Sequence, residues 1–360
     1  MKKVLLGASA LAMMTGAALA SEPIQPIRLG VSGYYNIYAV AVSQEDGAGM
    51  PGAGTRNSDI KRDGQINLIG ETRLDSGIFV GAQVDLASFN AIESFTTENS
   101  LLYASGGFGK FIVGEDYAAS YLLQVAAPAV DESFDGMDPT YELFNRNGNI
   151  APASYAQSAG ILVGGFDHSA KVTYLTPVMG GFQAGASYVP DHATTPTFAG
   201  MRTDTSVSSI DVAMKYAGSA DTTTYDLGFG YTAVDNELTG REPSGFNLGA
   251  NVGFGAFTIG AAYDKLDMDL ANSDSEAYAL GVNYQMNEAT TLGASYFHGA
   301  REMGAGVADD KLTRILVGGA YSYGPGMTFN GSVQHFELES ATATDENDGW
   351  ALVLGTCVSF

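Results

Sequence analysis

The closing stretch GWALVLGTCVSF, residues 349–360, decides the fold. Taken two residues at a time from the end, Phe360, Val358, Thr356, Leu354, Leu352 and Trp350 form a face that is almost wholly apolar and aromatic. Ser359, Cys357, Gly355, Val353 and Ala351 form the other, small or mixed in character. Period-two alternation is the signature of a strand with two different environments. This strand keeps its apolar face to the last side chain of the chain. Its backbone edge therefore needs a partner and its apolar face needs an apolar medium.

The same alternation recurs upstream. In 224–234, Tyr225, Leu227, Phe229, Tyr231 and Ala233 share one face; in 276–285, Tyr278, Leu280, Val282 and Tyr284 do; in 327–337, Met327, Phe329 and Val333 do. No segment holds a helical period. Turn residues delimit sixteen predicted strands: 28–43, 59–74, 78–90, 98–106, 110–116, 169–177, 182–190, 208–217, 224–234, 244–254, 257–267, 276–285, 291–299, 311–323, 327–337 and 348–360. The connections between them alternate strictly. Those after odd strands have seven or more residues, those after even strands six or fewer. All long connections then leave from one end of an up-and-down sheet. An even strand number, tight turns at one end and long loops at the other are the pattern of a transmembrane β-barrel. Lipid cannot satisfy backbone polar groups, so a sheet within it must close on itself, and sixteen strands leave room for an aqueous channel. The final strand then pairs with the first, which leaves neither with a free edge.

The start of the chain agrees. Residues 1–20, MKKVLLGASALAMMTGAALA, carry Lys2 and Lys3, an apolar stretch and a small-x-small end at Ala18-Leu19-Ala20, the pattern of a cleaved export signal. The expected mature unit is a single domain, 21–360, with no apolar run of helix-spanning length. Removing Lys2 and Lys3 from the 17 basic residues leaves 15 against 40 acidic ones. That balance argues against a nucleic-acid partner and permits attraction of cations. The single Cys357 excludes an intrachain disulfide.

Two stretches and the terminal Phe360 carry a family resemblance. GKFIVGEDYAASYLL (109–123) is similar to a fifth strand entering a pore-constricting loop. KVTYLTPVMGGFQAGASYVPD (171–191) is similar to the strand–turn–strand that follows that loop. The whole mature chain resembles the general diffusion porins of Gram-negative bacteria, in particular the α-proteobacterial type. The resemblance implies an outer-membrane location, a homotrimer, a third external loop folded into the lumen, and an aromatic C-terminus read by the barrel-assembly machinery. Lipopolysaccharide and small hydrophilic solutes are the further partners expected. The connection 117–168 is the candidate loop. Its Tyr121, Leu122, Leu123, Val125, Phe134, Tyr141, Leu143, Phe144 and Tyr155 need a surface to pack on.

The candidate constriction pairs acids on this loop with bases on the wall. The loop supplies Asp131, Glu132, Asp135, Asp138 and Glu142. Strand parity turns Arg28, Lys61, Arg73, Lys171 and Arg314 toward the lumen. Opposed charges would set a transverse field across a water-filled gap, favouring polar solutes and biasing ion passage. The family often has Arg where this chain has Glu115, which weakens the positive side. With the net charge, this predicts a weak-to-moderate cation preference.

No enzyme is expected. The four histidines show no metal-ligand spacing and no G-x-S-x-G elbow occurs. No cofactor is called for. The acidic stretches 264–276 and 345–348 read as solvated loop ends, with structural Ca2+ as the sharper alternative. Two alternatives stay open: a substrate-specific channel for sugars or anions, and a secreted β-rich structural or adhesive protein.

Overall fold

The computed structural model describes residues 27–44, 57–87, 96–130, 169–192, 207–237, 239–339 and 347–360. Sixteen strands make one closed antiparallel barrel. They are β1 (Arg28–Gln44), β2 (Ser58–Arg73), β3 (Phe79–Ala87), β4 (Thr96–Gly106), β5 (Gly109–Glu115), β6 (Ala170–Leu175), β7 (Phe182–Val189), β8 (Val207–Ala220), β9 (Thr223–Asn236), β10 (Ser244–Phe254), β11 (Phe257–Asp267), β12 (Ser275–Gln285), β13 (Thr290–Arg301), β14 (Asp310–Gly324), β15 (Met327–Glu339) and β16 (Asn347–Ser359). Every predicted strand is present. The alternation of long and short connections persists, with 107–108, 221–222, 255–256 and 325–326 reduced to two-residue turns. A short helix, α1 (Ala119–Leu122), follows β5.

Closure occurs where the terminal strand required it. β16 pairs with β15 on one side and β1 on the other, in register from Tyr34↔Ser359 to Gln44↔Gly349. Trp350, Leu352, Leu354, Val358 and Phe360 point outward and are exposed, whereas Ala351, Val353 and Cys357 are buried on the inner side.

Outward rows across β11–β16 show how the sequence sorts by depth. Ile259, Val282, Ala294, Val317, Val333 and Leu352 lie side by side in one row. Two rows toward the long-loop end stand Tyr263, Tyr278, His298, Thr313, Glu337 and Asp348, and the next row holds Lys265, Glu276, Lys311 and Glu339. Apolar, then aromatic with imidazole, then charged is the order of a membrane core, its interface and water. At the short-turn end the rings of Phe111 and Tyr174 lie 4.6 Å apart, and those of Phe257 and Tyr284 4.8 Å apart. The exposed apolar face is thus bounded by rings at both ends.

The inner face is not uniformly polar. Ala277, Ala279, Phe297, Leu312, Leu316 and Leu338 form an apolar cluster on β12–β15, and Ala127 and Val130 pack on it. Polar inner side chains occur on both halves of the wall: Asn36, Asp85 and Asn99 on β1–β5, and Thr173, Ser187, Asp211, Asn247, Ser295 and Gln334 among those of β6–β15. The chain leaving β5 lies against the inner wall from β7 to β13, and polar wall side chains there meet its backbone.

Candidate functional site

Residues 116–130 form a ledge on the inside of the barrel. Its first turn is α1, whose preceding residue Ala118 offers no capping side chain. The first amides of a helix need acceptors, and the wall supplies them. Ser187 Oγ accepts from the Ala119 N–H at 2.9 Å, and Asp211 Oδ1 from the Ser120 N–H at 2.7 Å. Asp211 also takes the Thr232 hydroxyl at 2.6 Å. Ala119 and Leu123 pack on Leu175 and Ala213.

Beyond α1 the chain crosses the strands in order. Asn247 donates to the Ser120 carbonyl at 3.3 Å, Asn251 to Ala126 at 3.0 Å, Asn283 to Ala129 at 2.9 Å and Ser295 to Pro128 at 3.2 Å. Close approach requires glycine on the wall. A Cβ at Gly249 would sit on the Val125 carbonyl and one at Gly281 on that of Pro128. The pattern is Gly-x-Asn or Gly-x-Ser on one inner face: Gly249 and Asn251, Gly281 and Asn283, Gly293 and Ser295. Glycine admits the ledge, and the polar side chain two residues on holds it. The sequence reading missed this ladder, although the spacing was there to be found.

The opposite inner wall, β1–β5, carries a band of polar side chains beside apolar ones such as Val40, Leu101 and Ile112. One row across it holds Asn67, Asp85 and Asn99. Asp85 accepts from Gln83 at 2.9 Å and Asn99 at 3.0 Å. Two rows toward the short turns, Arg28 lies opposite Glu71. Glu71 receives the Tyr103 hydroxyl at 2.6 Å. The Lys110 ammonium stands 4.7 Å from the Tyr103 ring centre, and Arg73 stands 5.6 Å from that of Phe79.

The five predicted wall cations do not form one set. Arg28 and Arg73 fall together at the short-turn end, with Lys110, which the sequence reading did not single out although it has inward parity. Lys61 lies nearer the long loops and pairs with Asp59 at 2.6 Å. Lys171 is 2 % exposed. Its ammonium donates to the Ser169 carbonyl at 2.6 Å and to that of Asp116. Arg314 is 1 % exposed and donates to Gln334. Lys171 and Arg314 are therefore internal groups of the wall, not water-lining charges. Glu115 shares the parity of the outward Phe111 and Val113, so it takes nothing from the positive inner wall. The predicted loop acids Asp131, Glu132, Asp135, Asp138 and Glu142 lie outside the described residues, as does the 1–20 export signal.

Two titratable groups flank Lys171 outside the strands. Burial pushes the Asp116 carboxyl up, against the opposing pull of the Tyr117 N–H and the Lys171 and Lys110 charges. Burial, and then the Lys171 charge, bring the His192 imidazole down to about 3. The acidic stretch 264–276 has a structural use. Asp267 accepts from the Asp269 N–H at 2.8 Å, Asp269 from the Glu242 N–H at 2.8 Å and Asp274 from the Met268 N–H at 3.2 Å.

A family model described as Gram-negative porin matches residues 7–341. No curated relative matches. Among solved structures, the anion-selective porin from Comamonas acidovorans is 17% identical over 93% of this chain and 100% of its own, with a TM-score of 0.67. The trimer form of OmpT, an outer-membrane protein of Vibrio cholerae, is 15% identical over 92% and 99%, with a TM-score of 0.62. A mutant of the Rh. blastica porin is 18% identical over 92% and 100%, with a TM-score of 0.55. At these identities the likeness is one of fold.

Proposed function

The chain belongs to the Gram-negative porin family, and from that premise we propose that it is a passive outer-membrane channel for small hydrophilic solutes and ions. The observation that carries this reading is the division of the barrel surface. Apolar side chains cover the outside between two sets of rings, and the inside keeps a wall with a polar band on β1–β5 facing the ledge. Solutes would pass between the ledge and that wall. The segment 117–168 is the narrowing element in this reading. The inner packing of its first residues supports it. The acids Asp131, Glu132, Asp135, Asp138 and Glu142 would face Arg28, Arg73 and Lys110 across the gap. Transport of this kind changes no covalent bond, so no catalytic role is assigned.

The excess of acid over base supports a cation preference. The name of the Comamonas acidovorans relative concerns that protein's selectivity, and 17% identity does not carry it over.

A homotrimer is the assembly we favour. OmpT of Vibrio cholerae has a trimer form. In addition, the ring boundary is interrupted here: toward the long loops, β1 presents Ile37, Ala39, Ala41 and Ser43 outward, and β2 presents Ser58, Ile60 and Arg62. An apolar groove of about 580 Å³ runs along this face between Ile60 and Leu352 and Leu354. The 1–20 leader fits export to this membrane.

Planar-bilayer recording of the purified protein tests the function. Ohmic steps of channel current are expected, in threes per insertion for a trimer of pores. A folded barrel that never conducts would end the channel reading.

A further inference from the structure

The connection from β5 to β6 is the longest in the barrel, and a single buried side chain bridges its two roots. Asp116 is the first residue past β5 and Ser169 the last before β6. Lys171 sends its ammonium to both carbonyls. An ammonium has three donors and no acceptor, so it can join two carbonyl groups that cannot join each other. Loop closure disfavours long connections only weakly per added residue, so the definition of the ends matters more than the length between them. Burying a lysine is costly unless its charge is answered. Here the carboxylates of Asp116 and Asp211 are both close enough to act on it.

The next two residues along the ledge are fixed from the wall at the same place. Ser187 holds the Ala119 N–H and shares a 2.8 Å hydrogen bond with Thr173; Asp211 holds the Ser120 N–H and the Thr232 hydroxyl. Thr173, Ser187 and Asp211 lie on one inner row of neighbouring strands. Each is fully or almost fully buried. Lys171, the row and α1 make one continuous network, placed before the Gly-x-Asn ladder begins.

We propose that Lys171, Ser187 and Asp211 form a latch that fixes the root of the ledge, with Lys171 as the positioning residue, and that the width and steadiness of the open channel depend on it. The inference rests on reading 117–168 as the narrowing element of a conducting pore. Lys171 touches no permeating solute; it acts through the backbone of Asp116 and Ser169. Methionine at this position would fill much of the volume but take the Lys171 donor from two carbonyls and one positive charge from beside two buried carboxylates. Arginine has a wider planar head that cannot meet the same two oxygens from the same stem.

The test compares wild-type protein, Lys171→Met, Ser187→Ala and, as a control for loss of any lysine, Lys265→Met, whose side chain lies outward near the long loops. Each is recorded in planar bilayers with a graded series of poly(ethylene glycol) sizes, after folding has been checked by heat-modifiable gel migration and the thermal midpoint. Folded Lys171→Met is expected to show open-channel current noise raised several-fold and to admit larger polymers. Lys265→Met should match wild type. Ser187→Ala removes one uncharged acceptor and should shift both readouts in the same direction by less, and it decides the matter if Lys171→Met does not fold. Wild-type protein without conductance would refute the channel reading itself. A conducting wild type with noise and polymer cut-off unchanged in folded Lys171→Met, or unchanged in Ser187→Ala where only that variant folds, would refute the latch alone. Equal disturbance in Lys265→Met would refute it too.

Discussion

Phe360 and Gly33 exchange both of their backbone hydrogen bonds: Gly33 N–H to Phe360 O at 2.9 Å and Phe360 N–H to Gly33 O at 3.0 Å. The last residue of the chain thereby seals the seam between β1 and β16. A Cβ at Gly33 would sit on the Gln65 carbonyl of β2 and also meet the Phe360 ring at 3.2 Å, so glycine lets the strands approach and leaves room for the ring. Deleting Phe360 removes two seam bonds and an interface aromatic at once. Gly33 then loses both of its seam partners. The deletion should lower the yield of folded barrel severalfold in cells, while channels that do assemble keep near-normal conductance. Quantifying heat-modifiable barrel in outer membranes, alongside single-channel recording, checks both halves. Normal assembly would return Phe360 to the standing of any other interface ring.

The ladder under the ledge gives a graded prediction. Asn283→Ala removes the donor to Ala129 O and should cost about 1 kcal/mol, the net worth of one hydrogen bond with some of the penalty for a stranded carbonyl. Gly281→Val puts a branched side chain where the Pro128 carbonyl lies and should cost about 1–3 kcal/mol by overpacking. Both leave the strand pairing of β12 untouched. Urea unfolding in detergent measures the costs. A Gly281→Val barrel as stable as wild type would show that the ledge is not seated there.

Strand identity was legible because lipid outside and a different interior impose period two on every strand, and GWALVLGTCVSF states that rule to the last residue. Parity groups the five wall cations together without separating them by burial. Its limit was depth and cover. Nothing in the alternation distinguishes Arg73, beside Phe79 at the barrel mouth, from Lys171 or Arg314, buried in the wall. That distinction depends on what lies over the inner face, and the covering segment is held by side chain to backbone contacts from five strands distant in sequence. A loop backbone has no side-chain pattern to match, so its track is recorded only in the wall, as glycines two residues from asparagine or serine.

Charge placement on β1–β5 makes a prediction about selectivity. Arg73 and Lys110 lie against the rings of Phe79 and Tyr103 on the inner side of the wall. Replacing both with Gln should shift the reversal potential in a tenfold KCl gradient toward stronger cation preference, beyond a wild type that already prefers cations. The shift should shrink as ionic strength rises, because the screening length falls from about 10 Å at 0.1 M to about 3 Å at 1 M salt. Clear anion preference of the wild type would overturn the assignment.

His192 offers a pH test with a definite sign. Its imidazole is held near 3 by burial and by Lys171, whereas an unfolded histidine titrates near 6.5. Between those values the unfolded chain binds the extra proton, so this group's contribution to stability is intact above about pH 6.5 and is lost progressively as pH falls toward 3. His192→Asn should therefore flatten the fall of the thermal midpoint between pH 6.5 and 4 without changing it at pH 8. An identical slope in the variant would show that His192 titrates normally.

Arg62 tests the assembly. It lies outward on β2 between Ile60 and Ile66, both exposed. If this face meets another copy, Arg62 lies within that contact. Arg62→Glu would reverse a charge inside that contact, and unfavourable charge juxtaposition at an interface commonly costs several kcal/mol. A monomeric barrel that still folds and conducts is the expected product, seen as a drop from three barrels to one by light scattering in detergent and as single rather than triple current steps. A stable trimer in Arg62→Glu would place the interface elsewhere on the barrel, and a wild type that is itself monomeric would leave the interrupted ring boundary to lipid.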